Sequence, residues 1–215
     1  MAKNRILWQL VLFGKKIISL ERSKAKLMVE TNVKTSFADI TAAEETKQKL
    51  QQIVDFLKLP DDIQCKGIGL PRGVLIVGPP GQDRALLAQA FAGEAHVPFF
   101  SISGPDFIDD SVADSRVRDL FKQVRKHVPC LIFIEDIDVI FSSLDEHAHA
   151  NDALRKTREQ LLFEIDSDAG QKRILVIGSA SSVENIDSTL RLRFDRCFRI
   201  ERTQSGSLVC SCQPD

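Results

Sequence analysis

The chain has 215 residues, 43% of them hydrophobic and 27% charged, with 29 basic against 30 acidic side chains. These values exclude a disordered, collagen-like or coiled-coil chain and fit a soluble globular protein able to bury a sizeable core. A formal net charge of −1 creates no field that would draw nucleic acid, so none is expected as a partner.

Residues 1–26 hold seven basic residues against one acid, Glu21. Inside them, Ile6 to Phe13 is an apolar run of eight residues. A bilayer span takes about 20, so this run is too short to cross. Two readings stand: an interfacial segment, with Trp8 and the flanking lysines at a headgroup boundary, or a helix packed on the domain. The segment is therefore expected either to touch a membrane peripherally or to stay a solvated arm. No small-residue cleavage site follows it, which argues against secretion. Five cysteines at irregular spacing form no disulfide framework and point to a reducing compartment. The expected location is the cytoplasmic or organelle-stroma side, peripheral on a membrane if the basic segment binds one. Cys210-x-Cys212 reads as a pair of tail thiols or as a metal or redox pair. His147-Ala-His149, in a polar linker, reads as solvated loop histidines.

Residues 27–40 read as extended or irregular. Thr41 and Glu44 have the spacing of a helix capping box, and Leu50, Ile53, Val54 and Leu57 continue as one helical stripe. Gly73 to Val77 is a short apolar run bounded by turn residues, predicted as a buried strand. A tight loop and a helix over 84–95 follow, then a strand from Pro98 to Ser103. Val117, Leu120, Phe121 and Val124 mark another amphipathic helix. Cys130 to Ile134 is a third strand, fully apolar and so expected to be central. A helix over 152–165, a fourth strand over 174–177 and a fifth over 197–201 complete the pattern. Strands alternating with helices at this pitch predict parallel pairing with helices on both faces. Ligands then bind beyond the carboxyl ends of the strands, where residues 78–85, 135–138 and 178–182 would lie. The tail from Thr203 is polar and is expected to be disordered.

A phosphate-binding loop reads G-x-x-x-x-G-K-[ST] between a strand and a helix. Gly78, Pro79, Pro80, Gly81, Gln82, Asp83, Arg84 and Ala85 occupy that context, followed by Leu86. Asp83 stands at the second glycine position and adds a negative charge. At about 5 Å and an effective dielectric near 20, one like-charge contact costs roughly 3 kcal/mol. Arg84 keeps a positive charge, but as a planar fork in place of a compact ammonium. Ala85 removes the hydroxyl that would hold Mg²⁺. The loop reads either as a tolerant nucleotide site or as a former phosphate loop now serving as a strand–helix turn.

Several segments carry a resemblance to a known family. They are Phe37-Ala-Asp-Ile40 with Glu44-Glu45, Pro71 to Gly81, Ala92 to Gly104, Ser115 to Phe121, Pro129 to Ile134, and Arg193-Phe-Asp-Arg196. Together, from about Ser23 to Ile200, the chain resembles the AAA ATPase module of the FtsH family of membrane-bound, ATP-dependent zinc metalloproteases. The resemblance implies an α/β, three-layer P-loop NTPase-like parallel sheet flanked by helices. It divides the chain into a basic segment (1–26), an AAA-like core (27–202) and a polar tail (203–215). It implies ATP and Mg²⁺ as ligands, with Ile40 and residues 78–86 as nucleotide-contacting positions. Glu135, Asp136, Ser181, Arg193 and Arg196 become the catalytic positions, the two arginines acting on a neighbour's terminal phosphate in a ring.

The departures are specific. The family's second acidic motif runs Asp-Glu, the first residue serving the metal and the second activating water; here the order is Glu135-Asp136. Ser181 replaces a sensor asparagine. The pore segment after Phe107 is short and acidic, and Phe107 itself reads as core. The helical lid expected after Arg196 has no counterpart before Asp215, and no His-Glu-x-x-His occurs. Three functions follow as alternatives: an impaired pseudo-ATPase acting as a regulatory or scaffold subunit with intact relatives, a working ATPase with atypical residues, or a truncated remnant.

Overall fold

A computed structural model of the chain describes residues 15–19, 26–42, 44–58, 71–108, 113–141, 152–168, 174–202 and 208–212. The apolar runs become strands β4 (Gly73–Val77), β5 (Phe99–Ser103), β6 (Cys130–Glu135), β7 (Ile174–Ala180) and β8 (Arg196–Arg202). These five lie parallel in the order β5-β6-β7-β4-β8. Every residue of β4 and β7 is buried, as expected for strands covered on both faces.

Alternation along the strands divides the core into two layers. Val74 and Ile76 face one layer with α1 (Glu44–Lys58) and α2 (Gln82–Ala95), through Leu50, Ile53, Leu87 and Phe91. Leu75 and Val77 face the other, with α3 (Ala113–Val124) and α4 (Asp152–Asp168), through Val117, Phe121, Leu161 and Ile165. This is the three-layer α/β architecture the strand–helix alternation predicts. Phe107 is fully buried.

The sheet extends beyond the parallel block on both sides. On one side β2 (Lys26–Glu30) pairs antiparallel with β5, and β1 (Lys15–Ser19) pairs antiparallel with β2. The sequence division at residue 26 leaves β1 outside the core, whereas its backbone joins the sheet opposite Lys26–Glu30. The apolar run 6–13 lies outside the described residues. On the other side β9 (Leu208–Cys212) turns back antiparallel along β8, and β3 (Thr41–Ala42) pairs parallel with β9. A disordered tail was expected here, and residues 208–212 correct that expectation. Cys210 is buried in the α1/α2 layer with Ile40 and Phe198, so its burial, not the polar neighbours, decides its conformation.

Thr41, expected to cap α1, lies in β3 instead. A capping box does form five residues earlier. Ser36 Oγ accepts from the Ala38 amide at 3.2 Å, and Asp39 Oδ2 accepts from the Ser36 amide at 2.9 Å. The short helix α5 (Ser188–Arg191) is capped by Asp187, whose Oδ1 accepts from both the amide and the hydroxyl of Thr189 at 2.6 Å. The hydroxyl bond first, then the amide bond, hold the Asp187 carboxyl below its usual pKa of 3.8. A depressed folded-state value means that the cap stabilises above the ordinary carboxylate range and is lost as pH falls below it. Asp187→Ala is expected to cost about 1 kcal/mol at neutral pH, with the difference from the parent shrinking in acid. Urea unfolding at pH 7 and near pH 3 checks both parts.

Candidate phosphate-loop site

Strand order brings the three carboxyl-end segments together, because β6, β7 and β4 are neighbours. The Gly78 amide donates to Ala180 O at 3.1 Å, joining the loop after β4 to the end of β7. Pro79, Pro80 and Gly81 are exposed past the carboxyl end of β4. Gly81 is the N-cap of α2 with φ 146°, a backbone region that L side chains rarely enter. Residues 82–86 then form the first turns of α2, with Asp83 in the first turn. There its charge favours the helix N-terminus and also competes with any phosphate for the same amides. Ala85 packs against the α1/α2 layer, and Leu86 is half-buried.

Arg84 is turned inward, 1% exposed. Its Nη2 donates to Asp136 Oδ1 at 2.6 Å. Nε and Nη1 are buried and have no hydrogen-bond partner. An unmade bond of this kind costs about 1–3 kcal/mol, and two of the three guanidinium nitrogens leave one unmade. Asp136 follows the last residue of β6 in a left-handed conformation, φ 52° and ψ 50°. Its amide donates to Ser179 Oγ at 3.1 Å. Glu135 ends β6. Ser181, the expected sensor, gives both its amide (3.0 Å) and its hydroxyl (2.6 Å) to Asp138 Oδ2.

Arg193 and Arg196 lie elsewhere. Arg196 begins β8 opposite Val74, near the start of β4. The loop lies past the other end of β4, its first residue Gly78 four residues on from Val74, or roughly 13 Å. Arg193 forks onto Asp166 of α4, Nη2 to Oδ2 at 2.9 Å and Nε to both oxygens at 3.2 Å. Its Nη1 donates to Thr189 O at 2.6 Å. The exposed Arg196 donates to Asp195 O at 3.1 Å. Ile40 is buried in the core layer beside β3. His147, His149 and residues 109–112 of the expected pore segment lie outside the described residues.

Three contributors are not singled out by the sequence: Ser179 and Asp138, inside the expected segments 178–182 and 135–138, and Asp166 of α4. Ser179 alone left a signal, a hydroxyl at the end of an apolar strand, where burial demands a partner.

The fold and this loop define a nucleotide-type P-loop module. The sequence profile of the ATPase family associated with various cellular activities (AAA) matches residues 74–202, and the chain belongs to that family. Among curated relatives it is similar to the ATP-dependent zinc metalloprotease FtsH of Veillonella parvula, 44% identical over 84% of this chain and 29% of that protein. The FtsH protein of Bacillus subtilis is 41% identical over 88% of this chain and 29% of its own length. The chain thus spans under a third of the curated relatives it matches. Among solved structures, the FIGL-1 AAA domain in complex with ADP superposes with a TM-score of 0.68 and 26% identity, over 83% of this chain and 60% of that one.

The AAA family in general binds ATP with Mg²⁺. Arg84 Nε and Nη1 are donors with no acceptor, and a phosphate oxygen is the kind of group that accepts from them. Ala85 offers no side-chain oxygen, Asp136 Oδ1 is taken by Arg84 and Asp138 Oδ2 by Ser181, while Glu135, at the metal position of the family's second acidic motif, ends β6 beside them. Among the described residues no group of three His, Cys, Asp or Glu side chains is placed to hold a metal ion. Mg²⁺ is ordinarily held by one or two carboxylates together with phosphate oxygens and waters. No helix among the described residues is long and apolar enough to cross a membrane.

Proposed function

We propose that the chain is a nucleotide-binding AAA subunit with impaired hydrolysis, which joins FtsH-like relatives in rings as a regulatory or scaffold member. One observation carries this reading: the Arg84–Asp136 ion pair at 2.6 Å. The family resemblance gives Asp136 the water-activating position and Arg84 the phosphate-holding one. Tied to each other, the carboxylate gives Oδ1 to a cation. Phosphoryl transfer depends on positioning, and misplacement by about 1 Å can cost roughly 10²-fold.

Placement of Arg193 and Arg196 at the opposite strand ends supports the ring. A phosphate within their reach would sit on a neighbour. Phe163, 64% exposed, and Leu192, 76% exposed, lie on the elements that carry the Asp166–Arg193 pair. Large apolar side chains left in water there suit a subunit contact.

Mg-ATP turnover by the purified chain is expected to stay at background, while native mass spectrometry with an intact FtsH-type AAA module shows mixed assemblies. Turnover that disappears in Arg84→Ala would select the working-ATPase alternative. Absence of any mixed species would remove the scaffold role.

A further inference from the structure

We propose that the sheet edge at β1 and the basic end of α3 form one surface that rests on an anionic lipid bilayer. Strand register brings the two parts together. His127 closes the turn Arg125–His127 after α3, and its ring lies 5.5 Å from that of Phe100. Phe100 is paired with Val29, and Val29 with Lys16. Lys16 therefore stands two strands, or about 10 Å, from Phe100, with Lys15 beside it opposite Glu30. Among the described residues β1 is the last strand on this side of the sheet.

The fold does not use up the charge at this end. Arg125 is turned to α4, where it holds Glu164. Lys126 gives Nζ to the neutral Gln123 at 3.2 Å, and neither it nor the exposed Lys122 is ion-paired among the described residues. The carboxylates on the same elements are Glu30, Asp114 and Asp119, and Asp114 is bound by Arg118. Val128, 37% exposed, follows His127 as an apolar tip. Two features then favour a bilayer over another polyanion. The apolar run Ile6–Phe13, which contains Trp8, ends two positions before Lys15, so β1 delivers it to this edge. A short apolar anchor holds a membrane only marginally, and lysines at the surface supply the second signal. The net charge of −1 gives no long-range attraction to nucleic acid. The phosphate loop lies past the opposite, carboxyl ends of the strands, and β8 with Arg196 is six strands away, so the surface leaves both clear.

Flotation of the whole chain with vesicles of phosphatidylcholine, alone or with about one-third phosphatidylglycerol, tests the proposal. Binding to the anionic vesicles is expected to be at least about tenfold tighter, and to weaken as salt rises from about 0.1 M to about 0.5 M. Lys122→Gln together with Lys126→Gln should weaken it by about tenfold or more, since each lysine near such a surface counts for about fivefold. Lys47→Gln with Lys58→Gln removes the same charge from exposed positions of α1 in the other layer and should change it by no more than about twofold. All four side chains are exposed, so these substitutions cost the fold little. Equal binding to both kinds of vesicle overturns the proposal. So does an equal effect of the two lysine pairs, which would mean that net charge or residues 1–14 act without the folded surface. Duplex DNA bound as tightly as the anionic vesicles would assign the lysines to nucleic acid and overturn it too.

Discussion

Asp136→Asn is expected to destabilise the protein by about 2–3 kcal/mol, whereas Arg84→Met should stay within about 1 kcal/mol of the parent or exceed it. The two substitutions break the same ion pair, and burial makes them unequal. The Arg84 side chain is 2% exposed, while that of Asp136 is 38% exposed. Losing the carboxylate charge leaves a guanidinium in the interior with all its nitrogens short of an anion. Losing the guanidinium leaves a carboxylate that water can reach, and methionine refills the buried channel with apolar atoms. Removing one partner of a fully buried pair costs about 3–5 kcal/mol. The partial exposure of Asp136 is why a smaller figure is expected. Asparagine tolerates the left-handed backbone as well as aspartate does, so the φ of 52° does not confuse the comparison. Urea unfolding with unchanged m values would measure it. The opposite order of stabilities would show that the pair does not hold the arginine in the folded protein.

Gly93→Ala is expected to cost at least about 3 kcal/mol, large for one added methyl. Gly93 lies within α2, where alanine would normally gain about 1 kcal/mol over glycine. A Cβ built there comes within 1.9 Å of Thr35 O and 3.3 Å of Val33 O. Both obstacles are main chain, and that main chain is held. The Ser36–Asp39 capping box follows it, the Phe37 amide donates to Glu94 Oε1 at 3.1 Å, and the Phe37 ring meets Phe91 edge-on at 5.3 Å. Either the strap over 33–40 lifts off α2 or the helix shifts, and the helix carries the phosphate loop at its other end. A chain of this length loses about 2–4 °C per kcal/mol, so the melting temperature should fall by about 6–12 °C. A melting temperature equal to or above the parent's would mean that the strap does not press on the helix.

Much of the fold is legible before any coordinates, for a local reason. The apolar runs of β4 and β6, bounded by glycine and proline, cannot remain in water, and at their length they serve as buried strands. Leu50, Ile53, Val54 and Leu57 recur at the helical period and must share one face. The loop from Gly78 to Ala85 could be compared position by position with a phosphate cradle, so its altered residues were visible at once. The role those residues take was not visible. Arg84 and Asp136 are 52 residues apart, and Arg193 and Asp166 are 27 apart.

The composition and periodicity of this chain alone determine a two-faced parallel sheet with helices on both sides and a modified loop at its carboxyl ends. Burial acts residue by residue, and its period is written in each segment. Only the tertiary structure decides that β6 and β7 lie beside β4, that Leu208–Cys212 closes the sheet with Thr41–Ala42, and that the loop arginine spends its charge on Asp136. Those outcomes depend on strand order and register across the whole sheet, and no local pattern of apolar and polar residues encodes them.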